Sequence, residues 1–380
     1  MQSYLNRASI QIVLTRLKHN PVACILGPRQ CGKSTLAKNL IAKNKKSIYL
    51  DLEKPSDVNQ LQDAESFFKH NRGKLICLDE IQRVPHLFEI IRSIVDETNA
   101  NSQFLLLGSA SMELIQQSSE TLAGRISYIE LTPFQLKEVQ ELNKLWVRGG
   151  FPRSFLAGNE KASTQWRNDF IQTFLERDLR QLGFNLSPVR MRRFWQMLAH
   201  SNAQIFNASK LSQSLGVSYH TIQSYLELFE HTFMIRVLKP LESNLKKRLI
   251  KSPKILFRDS GILHSLLEIE NRNALFGHPG YGGSWETFAI ENIISNLPDW
   301  RPSYYRTATG NEIDLILEKG QQKMAIELKV SSSPQISKGF YIALADLGIS
   351  EAYVIAPVVR SYPLNKSTWV MTLADFLKKF

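Results

Sequence analysis

The segment Gly27-Pro28-Arg29-Gln30-Cys31-Gly32-Lys33-Ser34-Thr35 leaves this chain the fewest ways to fold. It fits G-x-x-x-x-G-K-[ST] and lies between a short apolar run at 22–26 and a helical pattern at 34–42. A strand that passes through a glycine turn into a helix surrounds one anion with backbone N–H groups and adds the positive end of the helix dipole. The run at 22–26 has no polar alternation, so both faces are expected to be buried, as in a parallel sheet covered by helices. The loop from Gly27 to Thr35 then wraps the phosphates, with Lys33 on the β- and γ-phosphates and Ser34 on Mg²⁺.

Further buried-strand patterns at 47–52, 74–78 and 104–107, with segments of crossover length such as 84–97 between them, extend the sheet and give an α/β class. The run at 74–78 ends in Asp79-Glu80, 46 residues after Lys33. Strands often end in acidic residues, but beside such a loop the pair has a role. At the carboxyl edge of a parallel sheet Asp79 can hold the Mg²⁺ shell and Glu80 can polarise the attacking water. The next strand ends in Gly108-Ser109, where a hydroxyl is either a sensor beside the γ-phosphate or an ordinary polar strand end. Arg125 would add positive charge to the transition state, in cis or from a neighbouring subunit, or is a surface arginine.

The loop, Leu78-Asp79-Glu80-Ile81-Gln82, Leu107-Gly108-Ser109-Ala110, Leu122-Ala123-Gly124-Arg125 and Arg148-Gly149-Gly150-Phe151-Pro152 follow one another in the sequence. Together they resemble the prokaryotic AAA-type (AAA+) P-loop ATPases that carry a C-terminal domain of unknown function. The resemblance runs over nearly the whole chain. It implies ATP as the nucleotide and raises Ser109 and Arg125 as sensor or finger. A finger acting in trans would require a homo-oligomer.

After Pro133 the pattern becomes helical, with helices expected at 170–182 and 188–200 and two more within 210–230. Residues 210–226 have the organisation of a helix-turn-helix, with Gly216 in the turn and Ser218 as N-cap. That leaves Tyr219, His220 and Gln223 outward, able to meet bases or phosphates, and the run at 233–238 would start a wing. From Glu176 to Lys254 there are 13 Lys and Arg against 5 Asp and Glu, a surplus of +8 that includes Arg190, Arg192, Arg193, Lys246, Lys247 and Arg248. Such a surplus fits DNA contact, or a solvated basic face on a scaffold or protein interface.

Towards the C-terminus Asp314 sits on one strand of an expected hairpin, and Glu327 and Lys329 share one face of the other. Two carboxylates can bind Mg²⁺ and an adjacent lysine can orient a water. The spacing D-x₁₂-E-x-K resembles the PD-(D/E)XK nuclease superfamily, with Glu286 or Glu291 at its first acidic position. The proline of that motif is missing, since Ile313 precedes Asp314. A metal-dependent nuclease and a retired fold that only binds DNA or another partner both fit.

The 380 residues suit two or three domains: an ATPase module at 1–135, a helical lid or connector at 136–205, a winged-helix-like segment at 206–243 and a restriction-nuclease-like α/β part at 244–380. Three cysteines, all before residue 80, exclude a disulfide framework and suggest a reducing cytoplasm. The first helical pattern, 8–17, contains Arg16 and lacks a cleavage site, so it does not read as a secretory signal. No apolar run reaches the ~18 residues of a membrane span. The net charge of +12 asks for an anionic partner. The expected function is Mg²⁺-dependent ATP hydrolysis coupled to DNA binding or processing. The alternative is an ATP-dependent regulatory or protein-interaction switch with an inactive nuclease-like domain.

Overall fold

The computed structural model describes residues 4–42, 46–109, 118, 120–181, 186–242 and 249–380. Its contacts divide the chain into two compact units, Met1–Phe134 with His231–Phe233, and Gln135–Glu230 with Met234–Phe380.

In the first unit five strands pair in parallel: β1 (Val22–Gly27), β2 (Ser47–Asp51), β3 (Leu75–Asp79), β4 (Phe104–Ser109) and β5 (Ile126–Glu130). Their order is β2-β3-β4-β1-β5. β1 and β3 are buried along their whole length, which is why their sequences carry no polar alternation. Helices Lys33–Ala42 and Leu87–Thr98 help cover the sheet, and Leu50, Phe68, Phe88, Ile91 and Leu106 lie in its core. No apolar run marks β5 in the sequence, because it is an edge strand with only Ile129 buried. The register sets Gly27 beside Ser109, Asp79 beside Leu107 and Asp51 beside Asp79, so the loop and the acidic strand end meet at one carboxyl edge. Gly27 is fixed by backbone approach: a Cβ there would stand 2.2 Å from the Leu131 carbonyl oxygen.

The second unit holds the helical middle and a second sheet. The helix Glu160–Thr173 continues through a π-helical turn, Phe174–Asp178, into Leu179–Gln181. Pro188–His200, Ala208–Leu215 and Tyr219–His231 follow, with Asn207 capping the second and Gly216 ending it at φ 63°. β6 (Ile235–Leu238) pairs antiparallel with β7 (Lys254–Phe257), and Ile205 bridges to Lys254, giving the helices a small wing. β7 lies past residue 243, where the sequence ended the winged segment.

The larger sheet contains β8 (Arg301–Arg306), β9 (Glu312–Lys319), β10 (Gln322–Leu328), β11 (Ala352–Ile355), β12 (Tyr362–Pro363) and β13 (Thr368–Met371), ordered β12-β13-β11-β10-β9-β8. β8, β9 and β10 are antiparallel, whereas β10, β11 and β13 run parallel. Helix Lys338–Leu347 packs on β9 and helix Tyr281–Asn296 on β10. Among the described residues no helix is long and apolar enough to cross a membrane.

The Arg148-Gly149-Gly150 run proves to be a packing device. Asp259 accepts from Gly150 N at 2.7 Å and from Ile262 N at 2.9 Å, capping the helix Ser260–Leu266. Gly149 has φ 75°, and a Cβ on it would lie 2.1 Å from the Asp259 carboxylate. Gly149→Ala should therefore destabilise the second unit by about 3 kcal/mol, combining left-handed strain with overpacking. Urea denaturation checks this; an unchanged midpoint would show that the close approach carries no weight.

Candidate functional site

The loop at the end of β1 is already folded as a cradle. Gln30 at φ 62° and Gly32 at φ 104° carry the backbone through the left-handed region, and Leu36 N donates to Gly32 O at 2.9 Å as the helix begins. Lys33 is only 5% exposed, and its ammonium donates to the carbonyls of Gly27 (3.0 Å) and Pro28 (2.9 Å). Arg7, remote in sequence and not anticipated from it, donates to the Cys31 carbonyl at 3.0 Å and to Thr132 O, and lies 5.0 Å over the Phe134 ring. It ties the loop to the chain leaving β5.

Asp79 closes the other side. Tyr49 donates to its Oδ2, the Ser34 hydroxyl is a second partner of the carboxylate, and Oδ1 is buried without a hydrogen bond of its own. Burial raises the Asp79 pKa above the ordinary carboxylate value, with Ser34 and Tyr49 opposing. A hydroxyl and a carboxylate with an unfilled oxygen form a hard-oxygen donor set that fits Mg²⁺. Glu80 follows at φ 57° and ψ 46°, an uncommon conformation for a non-glycine residue, and the Gln82 amide donates to its Oε2. Tyr49 and Gln82 were not legible as site residues.

The C-terminal carboxylates gather around an unexpected cation. The Lys254 ammonium lies 2.9 Å from Glu286, 2.7 Å from Glu312 and 3.4 Å from Asp314. Asp314 also accepts from Leu328 N at 2.9 Å. Lys329 pairs with Glu327 Oε1 at 2.7 Å, and Glu327 Oε2 is buried without a partner. Burial first, and then Asp314, push Glu286 up to about 7 and Glu327 up to about 8. Glu291 does not belong to this cluster. It is held by Arg236 at 2.5 and 3.0 Å and by Arg258 at 3.3 Å, so Glu286 is the carboxylate of this helix that meets Lys254. Among the described residues no group of three or more His, Cys, Asp or Glu is arranged to hold a metal.

Residues 19–140 match the family model of the AAA domain. Residues 139–273 and 281–376 match two models described as domains of unknown function, DUF8612 and DUF4143. Uncharacterized protein Rv2008c of Mycobacterium tuberculosis and Uncharacterized protein Mb2031c of Mycobacterium bovis are each 40% identical over 365 residues, spanning 95% of this chain and 82% of theirs. The chain belongs to the family of these mycobacterial proteins. An uncharacterized protein of Haemophilus influenzae is 24% identical over 277 residues, covering 63% of this chain and 68% of its own. Among solved structures, the Walker-type ATPase PABY2304 of Pyrococcus abyssi superposes with a TM-score of 0.48 at 14% identity, over 70% of this chain and 96% of that one. The RuvB Holliday junction branch migration motor of Thermotoga maritima does so with a TM-score of 0.32 at 18% identity, over 61% and 90%.

Residues 19–140 are thus an AAA-type ATPase domain, and the loop and acidic strand end described above lie within them. Arg125 does not join them. Its carbonyl accepts from Val22 N at 3.2 Å, at the first residue of β1, whereas the loop leaves from the last. A strand length of about 16 Å separates the two ends. Its guanidinium is bound to Asp96 at 2.5 and 3.0 Å. The Ser109 backbone lies beside Gly27, but its side chain is outside the described residues.

On the helix Pro188–His200, Arg190, Arg192 and Arg193 are exposed, as are Tyr219 and His220 on the second helix of the helix-turn-helix. Gln223 is half-buried and donates to the Tyr219 hydroxyl at 3.0 Å. Lys246, Lys247 and Arg248 lie outside the described residues.

Glu286 and Glu327 both have folded pKa values above the ordinary 4.5. The folded chain therefore holds protons that the unfolded chain has released, and stability from these groups is full below about pH 4.5 and lost as pH rises towards 8. Stability should fall by at least about 1 kcal/mol across that range, and Glu327→Gln should flatten the slope. Urea midpoints taken at stepped pH are the check; a profile that rises from pH 5 to 8 contradicts it.

Proposed function

We propose that this AAA-type ATPase hydrolyses ATP with Mg²⁺ and couples the cycle to DNA binding through its winged helix-turn-helix, while the C-terminal domain engages DNA without cutting it. The observation that carries the DNA part is the helix-turn-helix with its paired wing strands, next in sequence to a helix whose three arginines are exposed. Helices so arranged suit a groove and phosphates. The ammonium inside the carboxylate cluster supports the absence of cleavage.

In the ATPase domain the bound Mg²⁺ would neutralise phosphate charge and be held by Ser34 and Asp79. Lys33, already aimed along the loop by the Gly27 and Pro28 carbonyls, exchanges those acceptors for phosphate oxygens. Tyr49 fixes the Asp79 carboxylate, and Glu80, held by Gln82, accepts a proton from the attacking water.

Lys33→Ala should lose ATP binding, read with a fluorescent nucleotide; ordinary affinity in that variant would remove the loop assignment. For DNA, filter binding against salt should give a steep loss of affinity. Replacing Arg190, Arg192 and Arg193 with Ala should lower the log–log slope by roughly 2 to 3. A chain with no DNA affinity at low salt points instead to a switch that engages a protein.

A further inference from the structure

We propose that the ammonium of Lys254 is the resident cation of the C-terminal carboxylate cluster and closes it to divalent ions. This deepens the reading that the domain does not cut DNA, and it is testable without DNA or nucleotide.

Lys254 is 2% exposed. An ammonium taken that far from water is strongly unfavourable unless it is fully paired. It carries three N–H donors, and Glu286, Glu312 and Asp314 supply three carboxylates at 2.9, 2.7 and 3.4 Å. The Tyr304 ring, 5.6 Å away, adds a fourth favourable contact. The position is set by the backbone: Lys254 is the first residue of β7, opposite Leu238, and is bridged to Ile205. Lys329 cannot take this role, because it is bound to Glu327, two residues before it in the chain.

The donors left behind are those a divalent ion prefers. Glu286 and Glu327 each feel the charge of Asp314, and Glu327 Oε2 is buried with no partner. A Mg²⁺ or Mn²⁺ ion would draw carboxylate oxygens to about 2.1 Å, and the Lys254 ammonium occupies the space among Glu286, Glu312 and Asp314. The wing therefore supplies, from one strand, the charge that a metal would otherwise bring.

The test is Mn²⁺ binding to the nucleotide-free full chain, followed by electron paramagnetic resonance and calorimetry. Wild type should bind no Mn²⁺ at this cluster. Lys254→Met, which keeps the length and removes the charge, should bind one additional Mn²⁺ per chain, and adding Asp314→Asn should abolish it. If Lys254→Met does not fold, the double variant Lys254→Met/Glu312→Gln removes one of the stranded carboxylates and is read the same way. Mn²⁺ bound by wild type and lost on Asp314→Asn overturns the proposal, as does a folded Lys254 variant that binds none. ATP turnover and DNA affinity, measured in parallel, report on the proposed function and can fail independently.

Discussion

Burying a charged group without a partner costs several kcal/mol, and this requirement shapes both candidate sites. Asp79 is 3% exposed and Lys33 5%, yet each has defined partners: Tyr49 and Ser34 for the acid, two loop carbonyls for the base. Neither set is saturated in the way a structural ion pair would be. Asp79 keeps a free oxygen, and Lys33 rests on neutral carbonyls that a phosphate would outcompete. Arg167 shows the other use of a buried charge. It is fully buried, bonded to Ser163, Thr164 and Ser265 and to the Arg148 carbonyl, and burial lowers its pKa to about 10. Ser163 and Thr164 lie on its own helix, while Ser265 and the Arg148 carbonyl join that helix to two others, so it is a structural element.

The parts legible in the sequence are those whose information is local. β1, β3 and β4 announce themselves by unbroken apolar runs, and the loop and Asp79-Glu80 by their position at strand ends. The helix-turn-helix is likewise local, because caps such as Asn207 and the left-handed Gly216 act within a few residues. β5 was hidden because an edge strand with one buried residue has no strong pattern. Tyr49 and Arg7 were hidden for another reason: their partners lie 30 and 24 residues away, and no spacing rule connects them.

The choice between Glu286 and Glu291 shows where periodicity stops. Both lie on the helix Tyr281–Asn296, five residues apart, and so about 140° apart around its axis. Either could face a neighbouring strand. What separates them is the cation each one meets, Lys254 for Glu286 and the Arg236–Arg258 pair for Glu291. Those partners lie 32, 55 and 33 residues away in sequence.

The same contacts change what the basic surplus between Glu176 and Lys254 means. Counting charges treats all 13 Lys and Arg of that tract as available to a nucleic acid. Arg236 and Lys254 are not, since both are committed to carboxylates of the helix Tyr281–Asn296 or its neighbours. Arg190, Arg192 and Arg193 remain exposed. The tract is thus basic towards the interior as well as towards solvent, and the interior charges join the wing to that helix. Separating the two would leave buried charges unpaired, at roughly 3–5 kcal/mol for each pair broken. The wing and the helix are therefore joined by buried ion pairs as well as by the chain itself.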